Sequence, residues 1–223
     1  MCGRFALTSP GDALAELLGL SEPPRLAPRY NIAPTQPVGI VRQPRRGAAR
    51  EWALVRWGLI PGWAKDPSIG NKLINARAET AAQKPSFRNA MRRRRCLVPA
   101  DGFYEWARRN GGKQPYYAHM AAPTPFAIAG LWESWQATDG GEMETCTLLT
   151  TDANPTLAEI HHRMPVIIPP EAYSRWLDPA NERPETLADL LGPFTAEPMA
   201  LDAVSTFVNN ARNEGPDCLT PAD

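Results

Sequence analysis

A cysteine at the second position can do chemistry that no internal cysteine reproduces. The chain opens Met1-Cys2-Gly3-Arg4-Phe5. Cysteine is small enough there for the initiator methionine to be removed, which leaves Cys2 with a free α-amine beside its thiol. An α-amine of pKa about 7.7–8.0 and a thiol of about 8.5 are both partly deprotonated near neutral pH. The amine condenses with an aldehyde to an imine, and the thiolate then closes a five-membered thiazolidine without any cofactor. The Arg4 charge favours the unprotonated amine and the thiolate, and Gly3 lets a ligand or backbone approach closely. The same opening also fits hydrolases with an N-terminal cysteine nucleophile, glutamine amidotransferases among them.

Three further segments hold polar groups at spacings that suit such a site. Leu73-Ile74-Asn75-Ala76-Arg77-Ala78-Glu79 sets Asn75, Arg77 and Glu79 two apart, so an extended chain presents them on one face. An amide beside a guanidinium suits a sugar phosphate, the first orienting a hydroxyl or carbonyl and the second holding phosphate. A helix start with surface charges is the competing interpretation. In Phe103-Tyr104-Glu105-Trp106, a strand turns Glu105 the same way as Phe103. A carboxyl desolvated among aromatic rings suits acid–base work, whereas on an edge strand it would face water. Glu159-Ile160-His161-His162-Arg163-Met164-Pro165 holds two of the three histidines. On an extended segment the two point to opposite faces, so His161 shares a face with Arg163. An adjacent histidine pair without a carboxylate cluster does not make a metal site, and no metal or cofactor is expected. The arginines of 42–50 and 92–95, with Trp57, Trp63 and Trp106, suggest a basic groove with aromatic platforms for single-stranded nucleic acid. Solvated charge and core tryptophans are the alternative.

Positioning these residues falls to a strand-rich chain. A helix is expected over 8–19, with Ser9 as cap, Pro10 first in the helix, Asp12 in the first turn and Leu14, Leu17 and Leu18 on one face. Strands are expected at Val38–Val41 and Trp52–Gly58, and Asn110-Gly111-Gly112 should turn a hairpin between Phe103–Ala107 and Tyr116–Met120. Apolar runs at Phe126–Trp132, Thr145–Thr150 and Val166–Ile168 predict buried strands, and Pro170 and Pro184 each open a helix. Regular βαβ alternation is absent. The expected fold is α+β, with a mainly antiparallel, barrel-like β core, a few surface helices and one domain over residues 1–223.

Composition narrows the class. The 223 residues are 43% hydrophobic and 22% charged, an ordinary globular balance. Formal net charge is zero, yet residues 1–100 hold 17 basic and 6 acidic side chains, and residues 101–223 hold 7 and 18. Such asymmetry prompts a search for a polyanion partner, unless the halves neutralise each other on folding. Cysteines 2, 96, 146 and 218 have neither metal-ligand spacing nor the density of a disulfide framework. No signal-peptide run or membrane-length apolar segment is present, so a cytoplasmic setting without membrane contact is expected.

Several motifs occur together in order: Met1-Cys2-Gly3-Arg4-Phe5, Arg29-Tyr30-Asn31-Ile32-Ala33-Pro34-Thr35 and Arg56-Trp57-Gly58-Leu59-Ile60-Pro61-Gly62-Trp63. Asn75-Ala76-Arg77-Ala78-Glu79-Thr80, the run from Arg95 to Trp106, Ile160-His161-His162-Arg163-Met164-Pro165 and Val208-Asn209-Asn210-Ala211-Arg212-Asn213 continue the series. The chain resembles the SOS-response-associated peptidase family, the abasic-site processing proteins. That resemblance implies loss of Met1 and a thiazolidine crosslink between Cys2 and the ring-opened aldehyde of an abasic site in single-stranded DNA. It implies that Asn75 orients the Cys2 amine or the opened sugar, and that Glu105 and His161 move protons. It further implies that Arg4, Arg77 and Arg163 hold phosphates, and that Trp63, Arg88 and Thr150 also bind DNA. The family's peptidase name implies removal of residues preceding the cysteine, alongside lyase-like chemistry. A monomer acting at or near the nucleoid is implied, with replication-fork proteins as candidate partners. Two other readings stay open: an N-terminal-nucleophile amidohydrolase or peptidase, and a non-catalytic single-stranded DNA binder.

Overall fold

Short apolar runs bounded by proline and glycine fold here as strands, and the sheet they build closes on itself. The computed structural model describes residues 2–109, 112–137 and 140–222. In chain order the elements begin β1 (Phe5–Leu7), α1 (Gly11–Leu18), β2 (Arg29–Ile32), β3 (Pro37–Arg42), β4 (Glu51–Trp57), β5 (Asn75–Arg77), α2 (Ala78–Ala81) and α3 (Arg88–Arg93). They continue β6 (Arg95–Ala100), β7 (Gly102–Arg109), β8 (Gly112–Met120), β9 (Phe126–Gln136), β10 (Glu142–Asp152) and α4 (Pro155–Ala158). Last come β11 (Arg163–Pro165), β12 (Ile167–Ile168), α5 (Tyr173–Leu177) and β13 (Met199–Ala203).

Strands β10, β4, β3, β6 and β9 pair in that order, and β9 pairs back with β10, closing a barrel. The β4–β10 pair is parallel, as is the β5–β10 pair, and the other pairings are antiparallel. A second, antiparallel sheet runs β13-β8-β7-β1-β2. This is the expected α+β fold with a barrel-like core. One hydrophobic cluster runs through both sheets, from Cys2 and Phe5 through Trp57, Leu97, Ile128 and Leu148 to Trp176. Every residue of β6 is buried, which fits the apolar run Cys96–Ala100 that follows Arg95. Among the described residues no helix is long and apolar enough to cross a membrane.

Local departures have identifiable causes. The cap of α1 is Pro10, not Ser9. Asp101 captures the would-be cap: its carboxylate accepts from Thr8 Oγ1 at 2.8 Å, Ser9 N at 2.9 Å and Ser9 Oγ at 2.5 Å. Pro170 opens a single 3-10 turn before α5, and Pro184–Leu190 is 3-10 throughout. The expected hairpin pairs β7 with β8 from Gly102 opposite His119 to Arg109 opposite Gly112. Its turn residues Asn110 and Gly111 lie outside the described residues.

Candidate active site at the N-terminal cysteine

Cys2 sits where the two sheets meet. Strand β1 pairs with β7, Phe5 opposite Phe103, and the Tyr104 amide donates to the Arg4 carbonyl at 2.9 Å. Continuing this antiparallel register past Arg4 brings the residues before it alongside Glu105. From the other sheet, Asn75 Nδ2 donates to the Cys2 carbonyl at 2.7 Å. Cys2 is fully buried, and its Sγ lies 3.9 Å from the Arg4 carbonyl. Burial, reinforced by the Glu105 carboxylate, pushes the thiol up to about 12. The thiol is therefore held protonated at neutral pH.

A glycine pair brings Asn75 to this seam. Gly58, at φ +128°, follows β4, and a Cβ on it would stand 2.6 Å from the Gly70 carbonyl. A Cβ on Gly70 would meet the Gly58 carbonyl at the same distance. With both side chains absent, the loop lies flat, Leu59 N donates to Leu73 O at 3.1 Å, and Trp57 Nε1 donates to Ile74 O at 2.8 Å. The chain then enters β5, with Asn75, Ala76 and Arg77 in register with Leu148, Leu149 and Thr150. Helix α2 begins at once, so the strand and helix-start interpretations of 73–79 each describe part of the segment. Asn75 Oδ1, the other end of the same amide, is buried without a hydrogen-bond partner among the described residues.

Glu105 is 4% exposed on β7, an interior strand between β8 and β1. The water-facing alternative is thereby excluded. His161 follows α4, and its Nδ1 lies 3.0 Å from the Arg163 amide nitrogen and 3.1 Å from the Arg163 carbonyl, so either tautomer of the ring bonds Arg163 through that atom. The two histidines do not point apart as an extended segment predicts. Residues 159–162 form a turn, and the rings stack with centroids 4.5 Å apart. Arg163 is buried and donates to Glu79 Oε1 and Oε2 at 2.7 and 2.9 Å, to Asp152 at 2.7 Å and to the Thr150 carbonyl at 2.7 Å. The hydrogen bond from Arg163 holds the Glu79 carboxyl below its usual range.

The residues expected to touch DNA divide into exposed and enclosed sets. Trp63 is 59% exposed, with Nε1 at 3.5 Å from the Pro85 carbonyl, and Arg77 and Arg88 are exposed. Arg4 points inward, Nη1 donating to Asn31 Oδ1 at 2.6 Å and to the Val208 carbonyl at 2.8 Å. The expected phosphate contact by Arg163 meets a guanidinium whose two terminal nitrogens already bond two carboxylates and a carbonyl. Thr150 is fully buried between Arg77 and Pro165 in register, and its hydroxyl has no hydrogen-bond partner among the described residues.

The broad groove of arginines and tryptophans does not form as expected. Trp57 is core, its ring 5.3 Å from Phe5. Arg95 is buried and donates to five main-chain carbonyls at 2.6–2.9 Å, in the last turns of α3 and α5 and in the loop after α5, where helix ends leave carbonyls to be satisfied. Arg42 bonds Glu51 and Glu144 and lies 4.1 Å over Trp132. Asn31 and Asn209 stand in two of the ordered motifs without an expected role. The signal at the second was the cluster of Asn209, Asn210 and Asn213, whose amides can bridge main chains. Among the described residues no group of three or more His, Cys, Asp or Glu is placed to hold a metal.

A family model described as SOS response associated peptidase (SRAP) matches residues 1–211. The abasic site processing protein YoqW of Bacillus subtilis is 42% identical, covering 98% of this chain and 99% of its own length. The chicken (Gallus gallus) abasic site processing protein HMCES is 37% identical, over 89% of this chain and 68% of its own length. A crystal structure of a protein from Bacteroides thetaiotaomicron superposes with a TM-score of 0.87 at 28% identity, covering 99% of this chain and all of that one. The match spans both sheets and the Cys2 seam between them, and the chain belongs to the SOS response associated peptidase family.

Proposed function

We propose that this protein processes abasic sites in single-stranded DNA by covalent capture on Cys2, once Met1 is removed. The observation that carries the proposal is the seating of Cys2: its carbonyl is gripped by Asn75, and its thiol lies within the field of the buried Glu105. The names of the relatives, abasic site processing proteins, support the substrate. While Met1 is attached, the nitrogen of Cys2 is an amide and cannot form an imine. After its removal, the free amine adds to the C1′ aldehyde of the opened sugar, and loss of one water gives the imine. Sγ then adds to the imine carbon, its proton passes to nitrogen, and the thiazolidine closes. No oxidant or reductant is consumed.

Glu105 takes the thiol proton and returns it to nitrogen, and His161 supplies the proton that opens the sugar and carries off water. The unpartnered Asn75 Oδ1 orients the amine. Arg77 and Arg88 hold phosphates and Trp63 stacks a flanking base. Arg163 fixes His161 and Glu79, and Thr150 supplies the carbonyl that anchors it. Loss of Met1 through the same nucleophile would account for the peptidase name. A single-stranded oligonucleotide with one abasic site is expected to give a denaturation-resistant adduct that Cys2→Ala does not form. Salt-sensitive binding by both proteins with no adduct would instead favour a simple binder. Glutamine or peptide hydrolysis dependent on Cys2, without adduct, would favour the amidohydrolase.

A further inference from the structure

The segment Val208-Asn209-Asn210-Ala211-Arg212-Asn213 has no part in the chemistry above, yet it converges on the strands that carry the site. Asn31, on β2, is fully buried. Its Oδ1 accepts from Arg4, and its Nδ2 faces three carbonyls of the segment: Asn213 at 2.8 Å, Asn210 at 3.1 Å and Val208 at 3.3 Å. Arg4 reaches the Val208 carbonyl itself. On β7, Trp106 Nε1 donates to Asn209 Oδ1 at 2.7 Å, and the Arg4 guanidinium lies 5.6 Å from the Trp106 ring centre. Glu214 closes the far end, accepting from the Tyr30 amide, the Asn31 amide at 3.1 Å and Arg29 Nε at 3.0 Å.

Arg4 lies two residues after Cys2, and Trp106 follows Glu105. One C-terminal segment thus fastens the neighbour of each member of the pair. Backbone pairing alone fixes this region weakly: β1 is three residues long, and its register with β2 slips between Phe5 and Leu7. A carboxamide suits the Asn31 position because it accepts from a guanidinium at one end and donates to carbonyls at the other. An aspartate there would turn a carboxylate toward three carbonyls.

We infer that Asn31 and Asn209 are positioning residues, which hold Cys2 against Glu105 by fastening Arg4 and Trp106 to the C-terminal segment. The inference rests on the assignment of Cys2 as nucleophile. It gives Arg4 an inward task, so disturbing the buckle should slow the reaction rather than weaken DNA binding.

Single-turnover adduct formation is compared in the wild type, Asn31→Ala and Asn209→Ala. Both variants are expected to lower the maximal rate about tenfold or more, with the half-saturating DNA concentration within about twofold of wild type. Asn209 is exposed, so Asn209→Ala tests the inference even if Asn31→Ala fails to fold. A contact that only stabilises the fold would lower the melting temperature and leave the rate per folded molecule unchanged. That result in Asn209→Ala, or a loss confined to half-saturation, overturns the inference. Alkylation of Cys2 by iodoacetamide, read by peptide mass, needs no DNA. It should speed up in both variants, and equal rates in all three proteins also overturn the inference. A wild type that forms no adduct sinks the functional proposal instead, and the alkylation result is independent of it.

Discussion

At Cys2, protection and reactivity make opposite demands on one thiol. Burial, with the Glu105 charge behind it, keeps the sulfur protonated and shields it from adventitious oxidation or alkylation. In the proposed reaction, capture of an aldehyde needs the proton gone, and the carboxylate that raises the thiol would also be the base that removes it. Two measurements on Glu105→Gln should therefore move in opposite directions. Removing the negative charge lowers the Cys2 pKa, so alkylation at fixed pH becomes faster and its pH profile shifts down. Adduct formation should fall by roughly 10²–10⁴-fold, the usual worth of a positioned acid–base group. A parallel fall in both rates would mean that Glu105 only shapes the pocket. Cys2, Glu105 and the Asn75 spacing were visible in the sequence because their chemistry is local: a terminal aminothiol, and polar residues alternating along short strands. The grip of Asn75 on the Cys2 carbonyl was not, since it spans 73 residues and depends on two glycines meeting across a loop.

Among the elements, the tryptophans show what periodicity cannot resolve. Trp57 and Trp63 stand six residues apart in one motif and looked alike as stacking platforms. Strand β4 carries Trp57 into the core against Phe5, while Trp63, after the Gly58 bend, stays on the surface. Trp57→Ala should destabilise the protein by about 3–5 kcal/mol in denaturant titration. Trp63→Ala should leave the unfolding midpoint in place and raise the half-saturating DNA concentration, with stacking worth about 1–3 kcal/mol per base. Interchanged results would refute the assignment. Strand β11 carries a similar division of labour. Arg163→Ala strips the donor from the buried Thr150 carbonyl and frees Glu79, and it should cost about 1–3 kcal/mol of stability and slow the adduct through His161. Strand β9 was legible because its first seven residues, Phe126–Trp132, form an apolar run. The cap of α1 was not, because Asp101, some ninety residues away in sequence, takes the Ser9 hydroxyl.

For the whole molecule, zero net charge conceals an exchange between its halves. Arg29 with Glu214, Arg42 with Glu144, Arg93 with Glu182, Arg94 with Glu133 and Glu79 with Arg163 each join the basic half to the acidic one. Four of these pairs set a base of the first half against an acid of the second, so part of the charge asymmetry is neutralised within the chain, while Arg77 and Arg88 remain exposed. Buried thiols, with the buried Tyr104, Tyr117 and Tyr173, make the fold sensitive to alkali. Burial raises Cys2, Cys96 and Cys146 above the ordinary range of a thiol. Above about pH 9 the unfolded chain releases these protons while the native one keeps them, so stability is fully present below that pH and declines as pH rises toward 12. Unfolding midpoints measured from pH 8 to 11 should fall across this window, and a flat profile would show the thiols to be solvated (about 8.5 is the unperturbed value). The central claim concerns the intact protein and its DNA, and intact-mass measurement of the product tests it most directly. Protein lacking Met1, incubated with a single-stranded abasic oligonucleotide and no reductant, should gain the mass of the whole oligonucleotide less one water, with the bond mapped to Cys2. An unchanged protein mass, or a bond that appears only after borohydride reduction, would contradict the account.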